Sequence, residues 1–481
     1  MDILSLTALV AGTLYGLLIG IIPGAGATTG LIAIYGFIYM FPDPYLAVIF
    51  CMAVVAASTT ADTYTSILLG IPGANSSAAT MVDGFPLAQQ GKATYAISAA
   101  ITTSTVNGLL WGIPVFLFFP YYAEVLLFFG TPELWMFTVL AMSTVVFISN
   151  HHFFKGIIAL AIGIFIGLIG IDPNTALDRF TGGWDYLADG VQLITLVAGV
   201  FAVPEMIDAL RYKQSRAKYT TDGYQQTIDG IKEVWYNKGL ALRGGAIGAL
   251  VGALPGLGGA ISDWMSYGLT VAANPNEKFG NGNIKGVIGP EGSNNAHKAT
   301  SMIPTVLFGI PGAPFAVILL GLFGMLDFEL GTMELLSDTK FFKSMTFGFL
   351  WATVLIGIIS FFITKYVTLL VNIPYKYYFP ILLAILLTAS VQYTGGWEDY
   401  AMFIAATIVG VICKHYNFNR AALLIGFILA MRIESLTLST FTLYNVSELF
   451  TRPTFIILVI STITVLIYGL KSAGKNKMDF V

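Results

Sequence analysis

Long, continuous runs of apolar residues, separated by short polar connections, follow one another along almost the whole chain. Each run of about 20 residues is long enough to cross roughly 30 Å of hydrocarbon as a helix. The runs do not alternate with period two, which excludes the strands of a membrane β-barrel. The pattern therefore predicts an all-α polytopic membrane protein with about 12–14 spanning or half-spanning segments.

Composition supports this class. Of the 481 residues, 56% are hydrophobic and only 11% are charged, whereas a soluble domain carries about 25% charged residues. The net charge of −3 gives no reason to expect nucleic acid as a partner. Cys51 and Cys413 lie far apart in apolar runs, so we expect neither a disulfide nor a metal site or cofactor. The sequence also lacks the motifs of an ATPase or of common hydrolases, and an enzyme is not predicted.

One long polar stretch, from Asp208 to Arg243, divides the chain almost in half. It holds seven of the 24 Lys and Arg residues, which predicts a cytoplasmic location. Residues 228–235 within it have the pattern of an amphipathic helix on the membrane surface. The predicted organisation is a first membrane repeat, this linker, a second membrane repeat and an extra C-terminal transmembrane helix, at 1–207, 208–243, 244–435 and 453–470.

The two membrane halves share motifs in the same order. The segments 16–26 and 248–258 both read GxxxGxxPGxG, and Gly70-Ile71-Pro72-Gly73 matches Gly309-Ile310-Pro311-Gly312. One GxxxG is a weak signal of close helix packing, but two matched pairs indicate an internal duplication. If each half crosses the membrane an odd number of times, the halves are inverted repeats. The predicted helix breaks are Pro23, Pro72, Pro255 and Pro311.

Duplicated halves with interrupted helices are typical of secondary transporters, which bind substrate where freed backbone groups face a cavity. Polar residues lie beside the breaks and predict the ligands. The predicted substrate-binding residues are Asn75, Ser76, Ser77, Asn294, Asn295 and Lys298. The predicted ion-coupling residues are Asp62, Gly24, Gly26, Gly256, Gly258 and Ser301.

Two of these candidates have a structural alternative. Asp62 is flanked by apolar residues and is the best candidate for an ion or proton ligand, but a helix cap at the interface remains open. Lys298 is the best candidate to meet a substrate carboxylate, and its alternative is a lysine that snorkels to the interface. His151 and His152 have the pattern of a loop. The repeated Thr-Gly-Gly-Trp at 181–184 and 394–397 is a coincidence or an interfacial anchor.

The paired motifs, together with Asp83-Gly84-Phe85-Pro86 and Pro290-Glu291 ahead of Asn294-Asn295, resemble the large membrane subunit of the bacterial tripartite tricarboxylate transporters. The resemblance covers roughly residues 5 to 440. It implies an inverted-repeat fold similar to elevator-type ion transporters. It also implies import of small di- or tricarboxylates by symport with Na⁺ or H⁺.

The resemblance further implies two partners, a small four-helix membrane subunit and a periplasmic solute-binding protein. The location would be the bacterial inner membrane, with the chain embedded in the lipid bilayer. The alternative from another class is a channel or scaffold subunit without ion coupling. A scaffold would tolerate changes at Asn75 and Asn294, whereas a transporter would not.

Overall fold

The computed structural model describes residues 2–126, 129–147, 153–172, 177–211, 223–255, 258–370, 375–391 and 394–475. This part of the chain is helical apart from loops, short 3-10 and π turns and one two-residue strand pair, β1 (Gly170–Ile171) and β2 (Asp178–Arg179). Five of its helices are long and apolar enough to span a membrane: Ile3–Ile21, Pro44–Leu69, Ala93–Phe119, Thr339–Val367 and Arg420–Leu443. The prediction of an all-α polytopic membrane protein is confirmed.

The helices before residue 223 follow the predicted breaks. They are α1 (Ile3–Ile21), α2 (Gly26–Ile34), α3 (Pro44–Leu69), α4 (Ala78–Gln89), α5 (Ala93–Leu126), α6 (Thr131–Phe147), α7 (Phe153–Gly167), α8 (Leu193–Val197) and α9 (Val203–Arg211). A 3-10 turn, Asn75–Ser77, precedes α4, and a π-helical turn, Ala198–Ala202, joins α8 to α9. His151 and His152 lie outside the described residues.

The second group begins with α10 (Gly223–Tyr236), α11 (Lys238–Gly252), α12 (Gly258–Ala273), α13 (Lys285–Thr300), α14 (Met302–Phe308) and α15 (Pro314–Met325). It continues with α16 (Met333–Ser337), α17 (Thr339–Leu370), α18 (Tyr378–Ser390), α19 (Trp397–His415), α20 (Arg420–Leu443), α21 (Val446–Leu449) and α22 (Pro453–Lys475). Residues 228–235 lie within α10, and α22 contains residues 453–470. Residues 212–222 of the linker are outside the described part.

Rows of glycines hold α1 against α3 and α11 against α13. A Cβ atom at Gly16 would lie 2.9 Å from the carbonyl oxygen of Val54, and one at Gly20 would lie 2.6 Å from that of Ser58. In the second group, a Cβ at Gly248 would likewise clash with the backbone of Ser293. One at Gly252 would lie 2.6 Å from the His297 carbonyl oxygen. Only glycine permits such close approach of two backbones. The GxxxG spacing thus produces the same kind of close helix contact in both groups.

The two Gly-Ile-Pro-Gly segments end their helices in the same way. The last helical turn is closed by a left-handed glycine, Gly70 with φ 63° and Gly309 with φ 59°. The following Ile-Pro-Gly is not helical. Its glycine N–H donates to a hydroxyl of the preceding helix: Gly73 to Ser66 at 3.3 Å and Gly312 to Thr305 at 3.1 Å.

Each group of helices also packs a long helix against the broken helix of the other. α5 lies along α13, and a Cβ at Gly108 would lie 2.9 Å from the Asn295 side chain. α17 lies along α3, where a Cβ at Gly348 would lie 2.6 Å from the Ile49 carbonyl oxygen. The broken helices are therefore buried between partners from both groups. That the two halves are inverted stays a prediction.

Candidate functional site

A cavity of about 480 Å³ lies between the helix breaks on one side and α9, α19 and α20 on the other. The breaks line it with both backbone and small side chains: Gly24, Ala25, Gly26, Ile71, Pro72, Gly73, Ala74, Ala313 and Pro314. The opposite wall includes Phe201, Glu205, Lys414, Asn419 and Arg420. Interrupted helices thus present freed backbone groups to a cavity, the arrangement in which irregular backbone is tolerated at membrane depth.

Polar side chains from three elements converge on this cavity. Asp62 from α3, Ser76 from the 3-10 turn before α4 and Lys298 from α13 all line it. The Ser76 hydroxyl donates to Asp62 Oδ2 at 3.4 Å, and the other carboxylate oxygen, Oδ1, is buried without a hydrogen-bond partner among the described residues. Asp62 lies in the middle of α3, so it is not the N-cap of that helix.

Lys298 brings a positive charge to the same space. Its Nζ lies 5.4 Å from the ring centroid of Phe315, a cation–π distance. The ammonium group interacts electrostatically with Asp62 and Asp263 but pairs with neither at ion-pair distance. Only 8% of the residue is exposed, so it is buried beside the cavity and does not extend to the polar interface. An anion in the cavity would find this charge available.

The first-half break supplies left-handed glycines at the cavity wall. Gly24 and Gly26 have φ values of 72° and 50°, which L side chains rarely adopt. A Cβ at Gly26 would also lie 3.1 Å from that of Ala74, on the other break. Pro23 is buried directly before this turn. The two breaks of the first group therefore contact each other beside Asp62.

The corresponding second-group residues lie deeper. The Pro255 carbonyl accepts a hydrogen bond from Thr144 at 2.8 Å, and Ser301 is fully buried, with its hydroxyl donating to the Lys298 carbonyl at 2.9 Å. Gly258 begins α12, Pro311 is buried, and Gly256 lies outside the described residues. Ser301 occupies the position equivalent to Asp62, because each accepts a backbone-directed hydroxyl bond from the residue four positions later.

The two predicted asparagines of α13 join α13 to α3. Asn294 Nδ2 donates to the Thr59 carbonyl at 3.2 Å, and Asn295 Nδ2 donates to the Thr60 hydroxyl at 2.8 Å. Both side chains are buried, and both Oδ1 atoms lack a donor among the described residues. Neither residue is among those that line the cavity in the described structure.

The predicted residues after the first Ile-Pro-Gly break have different places. The Ser77 hydroxyl bonds to the backbone of Ala74 at 3.0 and 3.1 Å and so holds the turn after the break. Asn75 begins the 3-10 turn, but its side chain lies outside the described part. Of the six predicted substrate ligands, Ser76 and Lys298 thus reach the cavity wall.

Two buried acids beside this site, Glu291 and Asp263, were not among the ligands predicted from the sequence. Glu291 accepts hydrogen bonds from the hydroxyls of Thr63, Thr80 and Ser104. Asp263 accepts from Ser262 at 3.2 Å and from Ser293. Asp263 follows a Gly-Gly-Ala-Ile-Ser run and precedes a Trp-Met pair, so its apolar flanks carried the same signal that pointed to Asp62.

An ion-pair cluster lines the far wall of the cavity. Lys414 Nζ lies 2.9 Å from Glu205 and 2.7 Å from Asp208, and Arg420 pairs with Glu205 and donates to the Val200 carbonyl at 3.3 Å. The cluster joins α9 to α19 and α20. Because its charges are balanced, it leaves Lys298 as the cavity cation without an ion-pair partner among the described residues.

The amino-acid sequence matches a known family of membrane proteins. The model of the tripartite tricarboxylate transporter TctA family matches residues 6–425. The chain belongs to the TctA family. It is 27% identical over 432 residues to a 52.8 kDa protein in the TAR-I ttuC' 3' region of Agrobacterium vitis, covering 88% of this chain and 84% of that protein.

A second relative from Agrobacterium vitis, in the TAR-II ttuC' 3' region, is 31% identical over 193 residues, covering 39% of this chain and 78% of that protein. No solved structure matches the chain. Membership of the TctA family makes the chain a component of a tripartite tricarboxylate transporter that works with partner subunits. The sequence-based assignment to this family is confirmed.

Proposed function

We propose that this TctA-family chain is the permease subunit that imports small di- or tricarboxylates by symport with Na⁺ or H⁺. The observation that carries the proposal is the cavity in which Lys298 and Asp62 lie together. A carboxylate that leaves water needs donors or a cation, since a buried unpaired charge is very costly. Lys298 and Ser76 offer these groups to the substrate.

The cation has its own ligands in the proposal. Asp62 presents a buried carboxylate oxygen that has no hydrogen-bond partner among the described residues, beside the breaks of the first group. Freed carbonyls at such breaks suit a cation. Gly24 and Gly26 bring that backbone to the cavity wall. Ser301, Gly256 and Gly258 are the proposed counterparts in the second group. A cation bound there would offset the charge of the anion next to it.

The transport cycle is proposed from the packing. The breaks and α13 form one wall of the cavity and α9, α19 and α20 form the other, so movement of the first wall past the second would carry substrate across the bilayer. This is an elevator mechanism with two inverted halves. The partners are a small four-helix membrane subunit and a periplasmic solute-binding protein, and the location is the bacterial inner membrane.

Uptake by vesicles that contain all three components tests the proposal. Labelled succinate, malate and citrate are presented with an inward Na⁺ gradient, with an inward pH gradient and with neither. The proposal expects saturable accumulation that one of the gradients increases. Uptake that neither gradient changes indicates a channel. Absence of uptake for every acid in the presence of both partners indicates a scaffold.

A further inference from the structure

Glu291, on α13, is fully buried and is bound by hydroxyl groups from three other helices. Thr63 comes from α3, Thr80 from α4 at 2.7 Å and Ser104 from α5 at 2.6 Å. Glu291 is not among the residues that line the cavity in the described structure. The site therefore forms only when helices from both groups assemble around this one carboxyl group.

The Thr63 hydroxyl bonds to Glu291 and not to the backbone of its own helix. In a helix, serine and threonine ordinarily donate to the carbonyl four residues earlier. Ser58 and Thr59 do so on α3, at 2.6 and 2.7 Å. Thr63, on the same helix, bonds to Glu291 instead. A hydroxyl can donate to a carboxylate or accept from a carboxylic acid, so the same three partners fit either protonation state.

No cation pairs with Glu291 in the part of the chain that the structure describes. The ionisable groups that face it from neighbouring helices are the acids Asp62 on α3 and Asp263 on α12. Lys298 interacts with those two acids. Three carboxyl groups and one ammonium group thus share a buried cluster. With every acid ionised, the cluster would carry an uncompensated negative charge, which protein interiors disfavour strongly.

Two other ionisable groups nearby either bind elsewhere or lack a partner among the described residues. Asp83 on α4 is bound by the backbone N–H groups of Gly280, Gly282 and Asn283 at 2.8–3.0 Å and by the Tyr267 hydroxyl at 3.0 Å. Both ring nitrogens of His297, on α13 itself, are buried without a hydrogen-bond partner among the described residues. α5 faces Glu291 with a hydroxyl, and α11 meets α13 through glycines.

The side-chain oxygen of an asparagine beside the two acids accepts no hydrogen bond among the described residues. Asn294 interacts with both Asp62 and Glu291, and its Nδ2 donates to the Thr59 carbonyl. Its Oδ1 and the Oδ1 of Asp62 are buried acceptors with no partner among the described residues. A protonated carboxyl group beside these acceptors has an O–H that can donate to one of them.

We propose that Glu291 is the proton-binding site of this transporter and that the coupled ion is H⁺. The proton comes from water in the cavity past Asp62, forms an O–H bond on the Glu291 carboxylate, and dissociates to water on the other side of the membrane, with no oxidation or reduction. This inference rests on the proposed symport. It specifies the ion and a residue outside the predicted ligand set.

Electrostatics explains how the proton and the substrate are coupled. An anion beside Lys298 favours protonation of the neighbouring acids, and a protonated Glu291 favours the anion by the same factor. Unit charges about 10 Å apart, at an effective dielectric constant of about 20, change each other's binding roughly tenfold. Substrate affinity should therefore rise roughly tenfold when the pH falls through the titration of Glu291.

Infrared spectroscopy tests the proton site without any transport. The purified chain is compared in neutral and alkaline buffer, where surface carboxyl groups stay ionised, and the C=O stretch of a protonated carboxyl is followed. We expect a band in the wild type that disappears on alkalinisation and is absent in Glu291→Gln. The matched control, Glu334→Gln on α16, should keep the band. An identical band in the wild type and Glu291→Gln would overturn the proposal.

A second variant tests the site even if Glu291→Gln does not fold. Thr80→Val keeps the side-chain shape but removes one hydroxyl that stabilises the carboxylate. The band should persist in this variant to a pH at which the wild type has lost it, a shift of roughly tenfold in proton affinity. An unchanged titration would contradict the site. Loss of the wild-type band on addition of Na⁺ at fixed pH would overturn H⁺ in favour of a sodium site.

Vesicle uptake separates this inference from the proposed function. With the two partner subunits and labelled succinate or citrate, a pH gradient should increase wild-type uptake, and this increase should be lost in Glu291→Gln. Stimulation of the variant equal to the wild type would overturn the role of Glu291. If no acid is taken up by the wild type, the proposed function fails, and the infrared result still decides whether Glu291 binds a proton.

Discussion

Asn294 donates from its side-chain amide to the main-chain carbonyl of Thr59, joining the broken helix of the second group to that of the first. The bond crosses from α13 to α3 beside the cavity. An asparagine in this position contributes both to the assembly of the two helices and to the polar surroundings of Asp62. The effects of a mutation at Asn294 on stability and on transport therefore have to be measured separately.

We expect Asn294→Ala to lower the free energy of unfolding by about 0.5–1.5 kcal/mol, because it removes a buried hydrogen bond between α13 and α3. We also expect it to raise the apparent substrate constant. Thermal unfolding of the purified chain and uptake kinetics measure the two effects. Asn295→Ala, which removes the bond to Thr60, is the matched variant. A lowered melting temperature with an unchanged substrate constant in Asn294→Ala would assign Asn294 to packing alone.

Lys298→Met should raise the apparent substrate constant roughly 10- to 100-fold, since a charge-assisted hydrogen bond is worth about 1.5–3 kcal/mol. Methionine keeps most of the side-chain volume next to Phe315. Lys232→Met, on the exposed face of α10, is the control and should transport normally. Uptake kinetics with a panel of acids give the measurement, and an unchanged constant in Lys298→Met would remove this lysine from the site.

Asp62→Asn should change the dependence on the coupling ion more than the affinity for the substrate. The amide keeps the acceptor that Ser76 uses but cannot bind or release a proton or neutralise a cation. The readout is initial uptake across a series of Na⁺ concentrations and pH values. Asp185→Asn, at an exposed position outside the cavity wall, is the control. Wild-type ion dependence in Asp62→Asn would contradict its proposed role.

Gly312→Ala should destabilise the chain by about 1–3 kcal/mol, because overpacking forces backbone shifts. Its Cβ would lie 2.6 Å from the Ser301 carbonyl oxygen. Gly268→Ala, on α12, is the matched control. Nothing lies within 4 Å of its Cβ, so removing a helical glycine there should be neutral or stabilise slightly. Thermal unfolding in detergent compares the two, and equal melting temperatures would refute the close contact.

The sequence predicted local features of the chain, such as helix ends. Pro72 and Pro311 mark real helix ends because proline and glycine act within their own segment, and the paired motifs led to the correct family. Asp62 and Lys298 do face one cavity. These features depend on short stretches of chain, which a single sequence displays directly.

Contacts between distant helices escaped prediction. The hydroxyls of Thr63 and Ser104 meet Glu291 only because α3 and α5 both pack on α13. The hydrophobic periodicity of either segment does not show which helix it will contact. For the same reason the bonds of Asn294 and Asn295 to α3 were not predicted; their role as substrate ligands stays a prediction.

The exchange of long helices between the two groups bears on how the protein is assembled in the cell. α3 carries a row of hydroxyls and an acid at membrane depth, and its partners α13 and α17 are translated only after the linker. Until then, Thr63 and Tyr64 of α3 lack the groups that they contact, Glu291 on α13 and Thr364 on α17. Synthesis of the first half alone should therefore leave α3 held by the insertion machinery or by another chain, and degraded when neither is present.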